Sequence, residues 1–293
     1  MNNIKRIMKE YSRQLEQFME QLFDGQEHCS EKLTAAMKYS LFSGGKRLRP
    51  TLTRLVTEML EGDTNAAIFA GAALEMIHSY SLIHDDLPSM DDDDLRRGKA
   101  SNHVVFGEAL AILAGDGLLT YSFNILSKLS LPPENTLKII EIISKGAGPE
   151  GMVGGQVLDL EGEDKELKLS ELKKIHRAKT GALFRSSVMA GAYCASPSEQ
   201  EMVALKNFSE YLGVTFQIVD DILDLTGDEE ETGKKVGSDE RLNKATYPRL
   251  LGLEEARKEA EYNGDKARES LEPFGEKANN LKELVDYIVI RRS

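Results

Sequence analysis

The chain has 293 residues, of which 41% are hydrophobic and 29% charged, and this composition excludes an intrinsically disordered protein. The formal net charge of −12 argues against nucleic acid as a partner. No apolar run reaches the ~20 residues of a membrane span, and the N-terminus lacks the features of a signal peptide. We therefore predict a cytoplasmic protein whose two cysteines are reduced.

Apolar residues recur at helical spacing along nearly the whole chain. Ser30 is placed to cap a helix, Pro88 to stop one, and Ser198 with Glu201 forms a capping-box pattern. In chain order, the pattern predicts helices over 3–23, 31–43, 51–61, 65–87, 103–129, 134–145, 150–160, 170–195, 200–227, 244–270 and 276–291.

No strand-like alternation, internal repeat or Pro/Ser-rich linker divides the sequence, so we predict one all-α domain over residues 1–293. Segments 66–84 and 104–126 are apolar on nearly every face, which predicts that both lie inside a large helical bundle. Gly146–Gly151 matches the G-x-G-x-x-G dinucleotide fingerprint, but it follows a helix and not a strand. We interpret it as a connection between helices.

The first of two acidic clusters lies at positions 85–94, at the end of an apolar helix. Asp85 and Asp91 are too far apart in sequence for one face of a straight helix. A break at Pro88 would let the chain fold back and bring Asp91 towards Asp85.

The second acidic cluster is Asp220-Asp221-Ile222-Leu223-Asp224, within a strongly apolar stretch. Asp220 and Asp224 are four positions apart and share one helix face. Carboxylates in such surroundings destabilise the fold unless cations pair with them. Mg²⁺ prefers oxygen ligands and shares its coordination shell with phosphates, so the two clusters favour a magnesium-bound polyanion.

Basic residues are grouped beside both clusters and suit direct binding of a second polyanion. These residues are Lys46, Arg47 and Arg49 after Gly44-Gly45, then Arg96, Arg97, Lys179, Lys234, Lys235 and Lys244. Taken singly, each could be an ordinary surface cation. Their grouping beside the acidic clusters favours a site.

These motifs, in this order, resemble those of the trans-isoprenyl diphosphate synthases. The resemblance runs from about residue 30 to residue 250. It is carried by the segment Gly44-Gly45-Lys46-Arg47-Leu48-Arg49-Pro50, Asp85-Asp86-x4-Asp91 followed by Arg96-Arg97, Gly151-Met152-Val153-Gly154-Gly155-Gln156, Lys179-Thr180-Gly181, Phe216-Gln217, and Asp220-Asp221-x2-Asp224.

The resemblance implies a helical bundle of the isoprenoid synthase type with a central apolar cavity, in a homodimer. It implies condensation of isopentenyl diphosphate with dimethylallyl or geranyl diphosphate, with three Mg²⁺ ions bound beside the allylic diphosphate. The implied metal ligands are Asp85, Asp91 and Asp220, supported by Asp86, Asp221 and Asp224.

The resemblance also implies how the organic substrates are held. The allylic diphosphate would be bound by Arg96, Lys179 and Lys234 with Lys244 nearby, and isopentenyl diphosphate by Lys46, Arg49, His78 and Arg97. Thr180 and Gln217 would direct oxygen dipoles at the developing allylic cation, so Lys179, Thr180 and Gln217 are the expected catalytic residues.

Tyr80 and Ser81 lie four or five residues before Asp85, about 6–7.5 Å deeper along the helix at ~1.5 Å per residue. Tyr80 would form a floor that limits the growing chain, with Ser81 leaving space above it, although Tyr80 could also be a core side chain. By resemblance an aromatic residue here accompanies the C15 product, farnesyl diphosphate. A C20 product and a class I terpene cyclase remain open alternatives.

Overall fold

The structure is a computed structural model, and it describes residues 2–24, 29–163, 165–227 and 244–291. Within these ranges the chain is almost entirely helical, and the one sheet is a two-stranded hairpin, β1 (Leu95–Arg96) and β2 (Lys99–Ala100). The predicted all-α class is confirmed.

The first half of the chain contains seven α-helices within the described residues. They are α1 (Asn2–Asp24), α2 (Glu31–Leu41), α3 (Leu48–Met59), α4 (Thr64–Asp85), α5 (Asn102–Phe106), α6 (Glu108–Leu126) and α7 (Pro133–Ala147). The predicted cap of α2 is confirmed, since Ser30 Oγ accepts from the backbone N–H of Leu33 at 3.3 Å.

The second half continues the bundle on either side of the undescribed residues 228–243. Its helices are α8 (Met152–Gly162), α9 (Leu169–His176), a π-helical turn (Arg177–Gly181), α10 (Ala182–Tyr193), α11 (Glu199–Thr226), α12 (Tyr247–Leu251), α13 (Leu253–Ser270), a 3₁₀ segment (Glu272–Ala278) and α14 (Asn279–Ile290). The capping box of α11 is confirmed by reciprocal hydrogen bonds between Ser198 and Glu201.

Two predicted helices are each split in the structure. Gly107 separates α5 from α6, and Gly252 separates α12 from α13, with φ of 84° and 83°. These values lie in the left-handed region, which glycine adopts without steric cost. A third predicted helix, 170–195, contains the π-helical turn, which periodicity alone does not reveal.

The apolar side chains form three clusters around the bundle axis. One is built by α1, α2, α4, α6 and α7 with residues of α8 and α10, a second by α1, α3, α10, α11, α13 and α14, and a third by α9, α11, α12 and α13. The helix α4 contributes to the first cluster and α11 to the other two. The acidic clusters lie on these two helices.

The two strongly apolar helices differ in their burial. By length and composition, α4 and α6 could each cross a membrane, so the expectation that no apolar segment reaches that length does not hold by this measure. In α4, 72% of the apolar window is buried, as in a core helix, against 39% in α6. The prediction that 104–126 lies inside the bundle is therefore wrong for one face of α6, because the side chains on that face are exposed on the surface of the chain.

Close helix packing generates a stability prediction at Gly191. A Cβ there would lie 2.5 Å from the backbone oxygen of Thr53, which cannot move without shifting α3. We expect Gly191→Ala to lower the free energy of unfolding by about 1–3 kcal/mol in urea titrations. In the control, Gly117→Ala, the new Cβ would meet only the flexible end of Met37. Equal stability of the two variants would contradict this packing.

Candidate active site

A cavity of about 830 Å³ opens in the centre of the bundle. Its wall combines charged and apolar side chains from α3, α4, α8, the π-helical turn and α11. It includes Lys46, Arg49, His78, Tyr80, Ser81, Asp85, Arg96, Arg97, Lys179, Thr180, Gln217 and Asp220. These residues lie far apart in sequence, and the fold brings them together around one space.

The first acidic cluster folds back on itself at the end of α4. The backbone N–H of Asp91 donates to the carbonyl of Asp85 at 2.9 Å, so the chain reverses across Pro88. Burial raises the pKa of Asp85 to about 6, an effect that Lys179 opposes and Asp91 reinforces. Asp85 is thus a desolvated carboxylate that a cation would stabilise.

The second acidic cluster divides into exposed and buried members. Asp220 is exposed towards the cavity and pairs with Arg291 at 3.0 Å. Asp221 is buried and accepts from Gln217 Nε2 and from the backbone N–H of Tyr247, each at 2.9 Å. Asp224 is one helical turn from Asp220 and partly buried. Asp221 therefore fixes the start of α12 against α11.

Several of these carboxylates form ion pairs with basic side chains. Arg96 donates from Nε to Asp86 at 2.8 Å, and Lys244 Nζ is 3.2 Å from Asp91. The expected phosphate-binding residues Arg96 and Lys244 are thus paired with carboxylates of the first acidic cluster. Lys234 lies outside the described residues.

Asp159, which the sequence analysis did not single out, links two of the expected lysines. Its Oδ2 lies 2.6 Å from Lys179 Nζ and 3.7 Å from Lys244 Nζ. Burial raises the pKa of Asp159, but the two ammonium groups outweigh it and the net pKa is lowered. The sequence could have indicated Asp159, because this residue lies three positions after Gln156 on a helix that lines the cavity.

A cationic group lies on another part of the cavity wall and consists of Lys46, Arg49, Arg97 and His78. Burial lowers the pKa of Arg49 to about 10, although Glu75 opposes the shift. Its Nε is buried without a hydrogen-bond partner, and no carboxylate pairs with its guanidinium among the described residues. Arg49 is therefore a desolvated cation placed to receive an anion.

The rest of this cationic group is tightly packed. Gly45 has φ of 120°, a conformation that favours glycine, and a Cβ there would lie 2.7 Å from the guanidinium carbon of Arg97. Arg97 donates from Nη1 to the carbonyl of Gly44. Burial and the surrounding arginines lower the pKa of His78 well below its usual range, so its ring is neutral.

The π-helical turn presents a chain of hydrogen bonds to the cavity. Thr180 Oγ1 donates to Gln217 Oε1 at 2.7 Å, and Gln217 Nε2 donates in turn to Asp221. This chain orients the Gln217 amide with its oxygen towards Thr180. Local π-helical geometry is frequent at functional sites because it re-aims side chains within a helix.

Tyr80 and Ser81 both line the cavity on α4. The Tyr80 ring packs edge-on against His84, with the ring centroids 5.7 Å apart. His84 in turn forms a hydrogen bond with the carbonyl of Ile112 at 3.1 Å, as expected of a structural histidine. The Tyr80 ring therefore packs on a histidine that is itself hydrogen-bonded to α6.

The oxygen donors suit Mg²⁺, although no three carboxylate, histidine or cysteine side chains of the described chain converge to hold an ion unaided. Mg²⁺ does not require such a cage, because it keeps several waters and completes its shell with substrate phosphates. Asp85 and Asp220, which line the cavity, fit that mode of binding, and the chain reversal places Asp91 next to Asp85.

The comparisons with known proteins agree with this geometry. A profile of the polyprenyl synthetase family matches residues 30–288. The farnesyl diphosphate synthase of Geobacillus stearothermophilus is 53% identical over 82% of each chain, and the geranylgeranyl diphosphate synthase of Cyanophora paradoxa is 42% identical over 88% of this chain and 87% of its own.

A solved structure shares the fold over nearly its whole length. The geranyltransferase from Legionella pneumophila superposes with a TM-score of 0.89 at 35% identity, covering 98% of this chain and 97% of its own. Sequence and structure agree, and the chain belongs to the polyprenyl synthetase family.

Proposed function

We propose that the protein is a Mg²⁺-dependent prenyltransferase that condenses isopentenyl diphosphate with dimethylallyl or geranyl diphosphate to give farnesyl diphosphate. One observation carries the proposal: a single cavity is lined by Asp85 and Asp220, one from each acidic cluster, and separately by a cationic group that includes Arg49, whose Nε is buried without a hydrogen-bond partner. Two diphosphates can thus be bound in one cavity by different means. The farnesyl diphosphate synthases at up to 53% identity support the same activity.

The allylic diphosphate is assigned to the acidic clusters. Asp85, Asp91 and Asp220 would hold Mg²⁺, with Asp86, Asp221 and Asp224 supporting, and the bound ions would neutralise the leaving diphosphate. Arg96 pairs with Asp86, Lys244 with Asp91 and Lys179 with Asp159, and each of these cations could move from its carboxylate to phosphate oxygens. Lys234 is assigned to the same diphosphate by sequence alone.

Carbon–oxygen cleavage leaves an allylic cation, which needs oxygen dipoles and the exclusion of water. Thr180 and Gln217 supply two oxygens in an orientation fixed by Asp221. The surrounding wall includes the apolar side chains of Met152, Val157 and Leu160, which limit access of water to the cation.

Isopentenyl diphosphate is assigned to Lys46, Arg49, Arg97 and neutral His78. Direct guanidinium contacts suit a diphosphate that does not leave during the reaction. Its double bond can then attack the allylic cation, and the released diphosphate is the base placed to accept the proton. A terpene cyclase has no second diphosphate to bind, so this cationic group favours condensation.

Tyr80 is the residue we assign to control product length. The ring is buried, packs against His84 and lines the cavity, so it would close the space that the allylic tail enters below Asp85. The C15 product is also favoured by identity, at 53% to a farnesyl against 42% to a geranylgeranyl diphosphate synthase.

We propose that the protein acts as a homodimer through the open face of α5 and α6. Val104, Val105, Ile112 and Leu113 are 44–54% exposed there. A contiguous apolar surface of this kind marks an interface, and a second copy is the occupant that family membership favours. Activity in the cytoplasm stays a prediction.

The activity itself is tested by product analysis with labelled isopentenyl diphosphate and geranyl diphosphate. We expect one labelled C15 product with Mg²⁺, and loss of product when EDTA removes the metal, restored by added Mg²⁺. Absence of condensation with both allylic primers would contradict the proposed function.

The metal assignment predicts unequal effects of two neighbouring substitutions. Asp85→Asn removes a buried charged donor, and we expect kcat to fall at least ~100-fold, as for loss of a strong transition-state interaction. Asp92→Asn is the control, since Asp92 is exposed and its left-handed backbone suits asparagine. Equal activity of the two variants would remove Asp85 from the metal site.

The floor assignment predicts a change of product without loss of chemistry. Tyr80→Ala should lengthen the main product to C20 or beyond, because the tail could pass the missing ring. Tyr80→Phe keeps the ring and should keep the C15 product. Chromatography of the dephosphorylated products decides, and an unchanged C15 product from Tyr80→Ala would assign the tyrosine to packing alone.

The proposed dimer interface is tested by substitutions that introduce charge on the exposed apolar face of α5 and α6. We expect the double variant Ile112→Asp with Leu113→Asp to be monomeric by light scattering, because two buried aspartates would oppose association. Val203→Asp, at an exposed position on α11, should remain dimeric. A monomeric native protein at micromolar concentration would contradict the proposed interface.

A further inference from the structure

The turn that carries the isopentenyl diphosphate site has an unusual backbone. Arg47 has φ of 48° and ψ of 39°, the left-handed conformation, immediately before α3 begins at Leu48. For a residue with a Cβ this conformation costs about 1–2 kcal/mol relative to the right-handed one. Its side-chain interactions must therefore hold the turn in place.

Those interactions are made by a completely buried guanidinium, since the Arg47 side chain is 0% exposed. Nη1 donates to Glu75 Oε1 at 2.6 Å, and Nη2 donates to the carbonyl of Leu41 at 2.6 Å and to Glu16 Oε1 at 3.2 Å. One side chain thus ties the turn to the end of α2, to α4 and to α1. A guanidinium can do this because its donors form a rigid fork.

Glu75 is the partner that connects this network to the cavity. It is 2% exposed, lines the cavity and lies three residues before His78 on α4. Its charge raises the pKa values of both Arg49 and Arg97 against the lowering effect of burial. The carboxylate therefore stabilises the charged forms of arginines that would bind the diphosphate.

The same carboxylate, left unpaired, would compete with the diphosphate for Arg49 and Arg97. Its short contact with Arg47 prevents this, and Arg49 is without a carboxylate partner among the described residues. A buried ion pair contributes little net stability compared with apolar packing of the same volume. The Arg47–Glu75 pair lies beside the cationic group around Arg49, so we consider its effect on ligand binding and not its effect on stability.

We propose that Arg47, through Glu75, is the positioning residue of the isopentenyl diphosphate site: it fixes the turn that carries Lys46 and Arg49 and keeps Glu75 from occupying the cations meant for the ligand. The Arg47 side chain is 0% exposed, so this role requires no contact with substrate. The inference rests on the proposed function for the identity of the ligand, and on the hydrogen bonds of the turn for the role.

Arg47→Lys tests this role because lysine keeps the positive charge but lacks the guanidinium that donates to Glu75, to Glu16 and to the carbonyl of Leu41. We expect the KM for isopentenyl diphosphate to rise at least ~10-fold, while the KM for geranyl diphosphate stays within about twofold. The same loss should appear as weaker binding of isopentenyl diphosphate in calorimetry without Mg²⁺ or allylic substrate.

Glu16→Gln is the matched control, because Glu16 makes the longer contact and is partly exposed. We expect less than about a threefold change in either KM for this variant. Thermal unfolding of each variant establishes that it is folded. If Arg47→Lys does not fold, Glu75→Gln replaces it, with a rise of at least about threefold expected for isopentenyl diphosphate alone.

An unchanged KM for isopentenyl diphosphate in a folded Arg47→Lys protein would overturn the proposal. So would parallel loss of affinity for both substrates, which would indicate a general structural role. Failure of the proposed function is distinguishable, because the native protein would then give no condensation product. Weaker calorimetric binding of isopentenyl diphosphate by Arg47→Lys would still support the positioning role in that case.

Discussion

Burial of charge around one cavity is the constraint on which the rest of the structure depends. Asp86, Asp221 and Arg47 are buried charged side chains, and the partly buried Asp85 and Arg49 have pKa values shifted by desolvation. A buried charge destabilises the fold unless a group of opposite charge pairs with it, either within the protein or on a bound ligand. The helices that carry them, α3, α4 and α11, must therefore be held in fixed relation by the apolar clusters.

Ion pairs within the protein meet this constraint. Arg96 lies on Asp86, Lys244 on Asp91, Lys179 on Asp159 and Arg291 on Asp220. Binding of a metal–diphosphate complex would give these carboxylates new cations and these cations a new anion. The charged side chains would therefore have partners of opposite charge both before and after the complex binds. The cationic group around Arg49 differs, because Arg49 has no carboxylate partner in the described part of the chain and needs no such exchange.

Sequence patterns predicted the fold and most of the cavity because both depend on local signals. Helical periodicity, the caps at Ser30 and Ser198, and the spacing of Asp85 from Asp91 are all readable from residue order. The open face of α6 was missed, since composition does not reveal which side of an apolar helix a neighbour covers. Asp159 and Arg47 act through contacts with residues distant in sequence, and such contacts arise only from tertiary packing. The roles assigned to individual site residues remain predictions.

The central claim is that the two diphosphates are held by different means, one through metal ions and one through direct cationic contacts. Calorimetry with each substrate alone, with and without Mg²⁺, tests it most directly. We expect isopentenyl diphosphate to bind equally well in both conditions, whereas geranyl diphosphate should bind tightly only with Mg²⁺. Equal dependence of the two substrates on Mg²⁺ would contradict it.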